Sequence, residues 1–251
     1  QWDYIEPVLF GYAAGAVIAS YVENFCTATD KIAAHFHEWM TAAGGLYLRR
    51  HAPYVATLFT THATVMGRCI AGNHLPLYTD LTKFNADELA RQFNVVAKHS
   101  IEKAAAAYHD AFVTVSDITA NECKFLLGRE PDCITPNGFE NDFVWTGEEY
   151  DAKRAEARKT MISVAEACLG EKFAEEPLIV GTSGRYEFRN KGIDVFIESL
   201  KKLAASPRLK RQVLAYITVP AANRGPRADL QAHLADPSKP IDGGQYKYTT
   251  H

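Results

Sequence analysis

Apolar positions along the chain change rhythm often enough to outline its elements. Phe10 to Phe25 repeats at helical spacing, with small residues on one side that permit close packing. Lys31 to His35 and Thr57 to Thr61 read as short strands, the second β-branched and apolar. Asn85 to Tyr108 returns to the helical period, reinforced by the Ala104 to Ala107 run, and Ala111 to Val115 is the next strand. Thr119 to Glu122 fits the capping box Thr-x-x-Glu, for a helix that runs through Leu127 and stops at Gly128. Cys133 to Thr135 is a strand closed by the turn residues Pro136-Asn137-Gly138. Glu148 to Lys172 is charged and helical. Pro177 to Val180 is a strand, Ile193, Phe196, Ile197, Leu200 and Leu203 recur at helical spacing, and Gln212 to Val219 is a strand again. Beyond Pro220 the chain is polar and irregular, with one short helix near Ala228 to Leu234. Strand, helix, strand at this spacing means parallel βαβ units, hence the α/β class. Residues 1–150 and 175–251 read as two such cores, joined by a helical linker over 151–174.

Composition narrows the class without choosing a function. With 251 residues, 47% hydrophobic and 23% charged, the chain has the make-up of an ordinary globular protein. A formal charge of −3 supplies no basic field, so nucleic acid is not expected as a partner. Five cysteines without a Cys-x-x-Cys pair suggest free thiols in a reducing compartment, the cytoplasm. The uncharged run Pro7 to Val22 is 16 residues long, short for a membrane span, and reads as a buried helix. No membrane partner is expected. A homo-oligomer is left open.

Chemistry concentrates at strand ends. Gly184 to Gly192 (Gly-Arg-Tyr-Glu-Phe-Arg-Asn-Lys-Gly) links a strand to a helix that should begin near Asn190, a favoured N-cap type. A helix N-terminus with Arg185 before it and Lys191 in its first turn would suit a phosphate. The alternative for both cations is plain solvated surface. His35 and His37 are two apart, so on a strand they face the same way, and with Glu38 they raise a zinc site. No nearby motif supplies a third ligand, so no metal is expected. The alternative is a polar cluster at the C-terminal edge of a parallel sheet, where open α/β folds bind ligands. Gly181 to Gly184 is not Gly-x-Gly-x-x-Gly, which removes support for a dinucleotide oxidoreductase.

The Gly184–Gly192 string resembles the start of the C-terminal domain of glycogen synthases of the animal and fungal type. His-Phe-His-Glu-Trp (35–39), Phe-Thr-Thr-His-Ala-Thr-x-x-Gly-Arg (59–68), Val-Ser-x-Ile-Thr-Ala (115–120) and Thr-Pro-Asn-Gly (135–138) are also similar to that family's strings. The resemblance implies a GT-B-like fold, parts of two Rossmann-like domains whose parallel sheets face a cleft. It implies a retaining transfer of glucose from UDP-glucose to the non-reducing end of an α-1,4-glucan, with no cofactor and no metal. By that resemblance Arg185 and Lys191 hold the diphosphate, Arg68 approaches the same charge, and His62 and Glu38 bind and orient the glucosyl unit. Asn137 lies where the family closes its cleft, though a turn residue needs no function. The absence of Asp-x-Asp agrees with cationic side chains replacing a metal ion on the leaving diphosphate. The family's Gly-rich loop and its Glu-x7-Glu segment have no counterpart here, so the chain reads as the central part of a larger enzyme. A binding module without turnover, or another GT-B glycosyltransferase, is the alternative. His62 should face Arg185 across the cleft.

Overall fold

The computed structural model describes residues 3–242 and 248–251. The chain divides into two compact units, Gln1–Phe139 and Glu140–His251. The first runs α1 (Ile5–Phe25), β1 (Ala33–His37), α2 (Glu38–His51), β2 (Ala56–Thr61) and α3 (Val65–Gly72). A single 3-10 turn (Leu81–Lys83) then leads to α4 (Ala86–Gln92), α5 (Val96–Tyr108), β3 (Ala111–Thr114), α6 (Asp117–Glu122) and β4 (Cys133–Ile134). All four strands are parallel, in the order β1-β2-β3-β4. Helix-connected strands that all run one way are the α/β arrangement that the spacing of elements implies.

β2 is covered most completely, with Thr57, Phe59, Thr60 and Thr61 all buried. Phe59 stacks on Phe112 of β3, ring centroids 5.7 Å apart, and Phe36, Leu48, Val55, Ala105 and Ala106 complete this core. α1 and α2 cross on glycine. A Cβ at Gly15 would stand 2.6 Å from the Gly44 carbonyl oxygen, so only hydrogen at that position lets the backbones meet. The opposite face of α1 is not covered: Leu9, Phe10, Val17, Tyr21 and Phe25 are exposed. The expectation of a buried helix is therefore corrected to a helix with one packed face. By length and composition alone it also meets the requirements of a membrane span.

Three boundaries differ from the sequence reading for local reasons. The strand expected over 31–35 lies two residues later. The helix expected over Asn85 to Tyr108 is two helices, broken where Asn94 takes a left-handed φ of 57°, a conformation asparagine tolerates. The box Thr119-x-x-Glu122 is not the cap of α6. Ser116 is, its hydroxyl oxygen accepting from the Thr119 N–H at 3.2 Å, while the Glu122 side chain turns inward. α6 continues as a π turn over Cys123–Leu127 and ends, as expected, at Gly128 in left-handed geometry (φ 77°).

The second unit contains α7 (Gly147–Leu169), β5 (Leu178–Ser183), α8 (Ile193–Ala204), β6 (Val213–Thr218) and α9 (Ala228–Ala235). β5 and β6 pair in parallel through the α8 crossover. The helix set apart as a linker belongs to this unit. Ala167 and Cys168 of α7 pack with Leu230 of α9, and Tyr216 donates its hydroxyl to the Met161 carbonyl at 2.6 Å. α8 starts at Ile193 rather than near Asn190, because Gly192 occupies the cap position with φ 66° after a tight turn. Lys191 thus precedes the helix instead of lying in its first turn. Part of the irregular C-terminal segment, 243–247, lies outside the described residues.

Candidate functional site

In a parallel sheet the strand ends gather on one edge, and the pairing of His37 with Thr60 puts two of the expected site segments side by side. His35 Nε2 lies 2.7 Å from the Thr60 hydroxyl. His37 Nδ1 lies 3.3 Å from His62 Nε2, their rings stacked with centroids 5.5 Å apart. Burial, helped by the two neighbouring imidazoles, holds His35 below the ordinary histidine pKa and so neutral. The fold therefore joins His35, His37 and His62 in one cluster. Among the described residues no three His, Cys, Asp or Glu side chains stand where they could share a metal ion. The His35 ring spends its nitrogen on Thr60 instead.

Glu38 follows β1 directly and has a left-handed φ of 63°. That strained backbone aims its carboxylate across to β2, where Oε1 accepts the His62 N–H at 2.9 Å. Two further glutamates hold the same loop. Glu102 of α5, fully buried, accepts the Thr61 hydroxyl on Oε1 at 3.0 Å and the Val65 N–H on Oε2 at 2.9 Å. Glu122 of α6, also buried, accepts the Thr64 hydroxyl at 2.8 Å and the Tyr78 hydroxyl at 2.9 Å. Thr64 caps α3, taking the Gly67 N–H at 2.9 Å. One turn on, Arg68 is exposed and has no ion pair among the described residues.

Burial is the main cause of a raised Glu102 pKa, to about 8, with Glu38 and Glu122 pushing the same way and the Val65 and Thr61 hydrogen bonds opposing. Tyr78 is pushed up to about 12 by burial and by Glu122. Glu102 takes the first N–H of α3 and the Thr64 hydroxyl the third, so most of that helix N-terminus is already occupied by the protein's own groups. Asn137 lies in the exposed segment beyond β4, on the same edge of the sheet.

In the second unit Arg185 lies in the exposed loop after β5, its Nη2 3.0 Å from Glu187 Oε1. The Lys191 stem lies over Gly184, where a Cβ would be 3.4 Å from it, and its ammonium has no ion pair among the described residues. The N–H groups of Lys191, Gly192 and Ile193 donate to the carbonyls of Glu187, Arg189 and Phe188 at 2.9–3.0 Å. The expected pocket of free N–H groups before the helix is therefore already taken up by the turn. What remains for an anion is the two cationic side chains.

Glu102 and Tyr78 lie in no motif read from the sequence, while Thr64 entered only as part of the 59–68 string and Glu122 only as a capping residue. One signal was present for Glu102. It shares a helix face with Ala105 and Ala106, both buried, so a lone carboxylate sits on an apolar stripe.

The glycogen synthase family model matches residues 3–229. The chain is 34% identical to glycogen [starch] synthase of Dictyostelium discoideum over 86% of its own length and 25% of that relative's. It is 34% identical to the Neurospora crassa glycogen [starch] synthase over 86% of its length and 31% of the relative's. Against isoform 2 of Saccharomyces cerevisiae the identity is 33%, over 87% of the chain and 32% of the relative. The chain thus spans about a quarter to a third of the curated relatives it matches. Both strand-end loops, the one bearing His62 and the one bearing Arg185, fall inside the matched stretch, and the chain belongs to the glycogen synthase family.

Proposed function

We propose that the protein containing this chain transfers a glucosyl unit, with retention, from UDP-glucose to the non-reducing end of an α-1,4-glucan in the cytoplasm. The observation that carries this reading is the loop after β2, where His62 is anchored beside His37 by the Glu38 carboxylate while Arg68 is left exposed. In this reading His62 and the free oxygen of Glu38 receive hydroxyls of the glucosyl ring. Arg68, Arg185 and Lys191 neutralise the diphosphate as it leaves, so no metal or other cofactor takes part. Family membership and the names of the relatives support the substrates.

In this reading the first unit supplies the side chains that orient the sugar, together with Arg68, and the second unit the other cations that meet the diphosphate. Removing a hydrogen bond to a charged group costs about 1.5–3 kcal/mol, so Arg185→Ala in the full-length enzyme should weaken UDP binding by that amount. Calorimetry of the two proteins measures it, and equal affinities would return Arg185 to the solvated surface. Glucosyl transfer should also persist in EDTA. Activity lost to chelation and restored by Mn²⁺ or Mg²⁺ would overturn the metal-free reading.

A further inference from the structure

The segment Thr61–Val65 joins β2 to α3 and carries His62. Three carboxylates from three different elements reach it. Glu38 takes the His62 N–H, Glu102 takes the Val65 N–H and the Thr61 hydroxyl, and Glu122 takes the Thr64 hydroxyl. Thr61, Thr64 and Glu102 have no exposed surface. From β3, the Thr114 hydroxyl donates to the Thr61 carbonyl at 2.8 Å, so this short loop is fastened at nearly every residue. An ordinary strand-to-helix connection is exposed and needs none of this.

We propose that Glu102 is a positioning residue of the glucosyl-transfer site, which with Glu122 locks the Thr61–Val65 loop and thereby fixes His62 and the start of the helix that bears Arg68. The role rests on the transfer activity argued above. Neither glutamate is argued to touch substrate. Each acts through the loop, as outer residues orient the inner ones in a preorganised site.

The protonation state fits the geometry. At neutral pH Glu102 is held mostly uncharged, because burial and the two neighbouring carboxylates disfavour its anion. A neutral Glu102 can donate its O–H to the Thr61 hydroxyl, which passes its own proton to the Ala63 carbonyl 3.3 Å away, while the other oxygen still accepts Val65 N–H. Every polar atom stays paired. Glutamine reproduces that pattern, N–H toward Thr61 and carbonyl toward Val65, whereas methionine keeps the volume and loses both bonds.

The test uses the full-length enzyme. Glu102→Met should lower kcat for glucosyl transfer roughly 100-fold, the scale of a misplaced catalytic group, with KM for UDP-glucose changed less than about threefold. Glu102→Gln should recover at least about tenfold of that loss. Hydrogen exchange read by mass spectrometry should show the peptide spanning Thr61–Val65 opening at least about tenfold faster in the Met variant, with β5 unchanged. Wild-type kcat in Glu102→Met, or a lost kcat with unaltered loop exchange, would overturn the proposal. So would failure of Glu102→Gln to recover kcat over Glu102→Met. If Glu102→Met does not fold, Glu122→Gln replaces it, with about tenfold lower kcat and faster loop exchange expected. An unchanged loop in that variant refutes the lock. Should the wild-type enzyme transfer no glucose, the functional reading fails, and the exchange comparison still decides whether Glu102 holds the loop.

Discussion

The loops after β2 and after β5 both leave the C-terminal end of a parallel strand, yet they are built by opposite means. The first is held by side chains: buried threonines and glutamates take up most of its polar groups and fasten it to three other elements. The second is held by its own backbone, turn upon turn from Glu187 to Ile193, and leaves its charges in water. Buried polar networks cost free energy to assemble and lose more when one member is removed. Exposed ion pairs cost little and contribute little. A group that must orient a sugar ring benefits from the first construction. A cation that must reach a mobile diphosphate benefits from the second.

The comparison can be broken from either side. The largest effect on stability is expected at Thr64→Val, which keeps the shape but removes the α3 cap and a donor to the buried Glu122. A loss of about 2–4 kcal/mol in urea unfolding would follow. A loss below about 0.5 kcal/mol would mean that the buried network is as loosely built as the exposed loop.

Titration gives the next effect, in two directions. Glu102 has a folded pKa raised to about 8 from 4.5, so its contribution is fully present below pH 4.5 and is lost as pH rises through 8. His109, buried with its Nε2 unpartnered against Gly45, is held down to about 4 from 6.5 by burial. Its contribution is present above pH 6.5 and is lost as pH falls through 4, on the order of 3 kcal/mol for that displacement. The two slopes oppose each other and nearly cancel between pH 4.5 and 6.5, so stability of the first unit should be nearly flat there and fall as pH rises from 6.5 towards 8. Unfolding free energies measured from pH 4 to 9 should show this, and in His109→Leu the fall with rising pH should begin near pH 4.5 instead of 6.5.

The smallest effect is expected in the second loop. Arg185→Ala, for all its consequence in UDP binding, should leave stability within about 0.5 kcal/mol, since the side chain is 62% exposed. A larger loss would show that the Arg185–Glu187 pair shapes the turn, and the contrast between the loops would narrow.

The two loops were also unequally readable. The exposed one is local: Gly184, Arg185, Lys191 and Gly192 sit within nine residues, and the string alone marks a turn with cations. Even there the helix start was misplaced, because Gly192 rather than Asn190 takes the left-handed cap and closes the N–H groups onto Phe188 and its neighbours. The buried network is non-local. Glu102 and Glu122 lie 41 and 58 residues from the threonines they hold, and no spacing rule spans that distance. Strands and helices followed from periodicity, since burying one face imposes the pattern. Glu122 was legible only as a capping residue, which the true cap at Ser116 makes unnecessary. The uncovered face of α1 was unreadable for a similar reason, as apolar sequence states a wish for cover and not its provider.

The left-handed backbone of Glu38 sets comfort against use at a single position. At φ 63° glycine rests without penalty, while a residue with a Cβ gives up on the order of 1 kcal/mol or more. Glycine has no carboxylate for the His62 N–H, and aspartate is one methylene short of reaching it as glutamate does. A redesign guided by backbone energy alone would therefore choose Glu38→Gly and untie the His62 loop. Among residues 33–39, position 38 is where a stabilised catalogue of variants and an active one should part company.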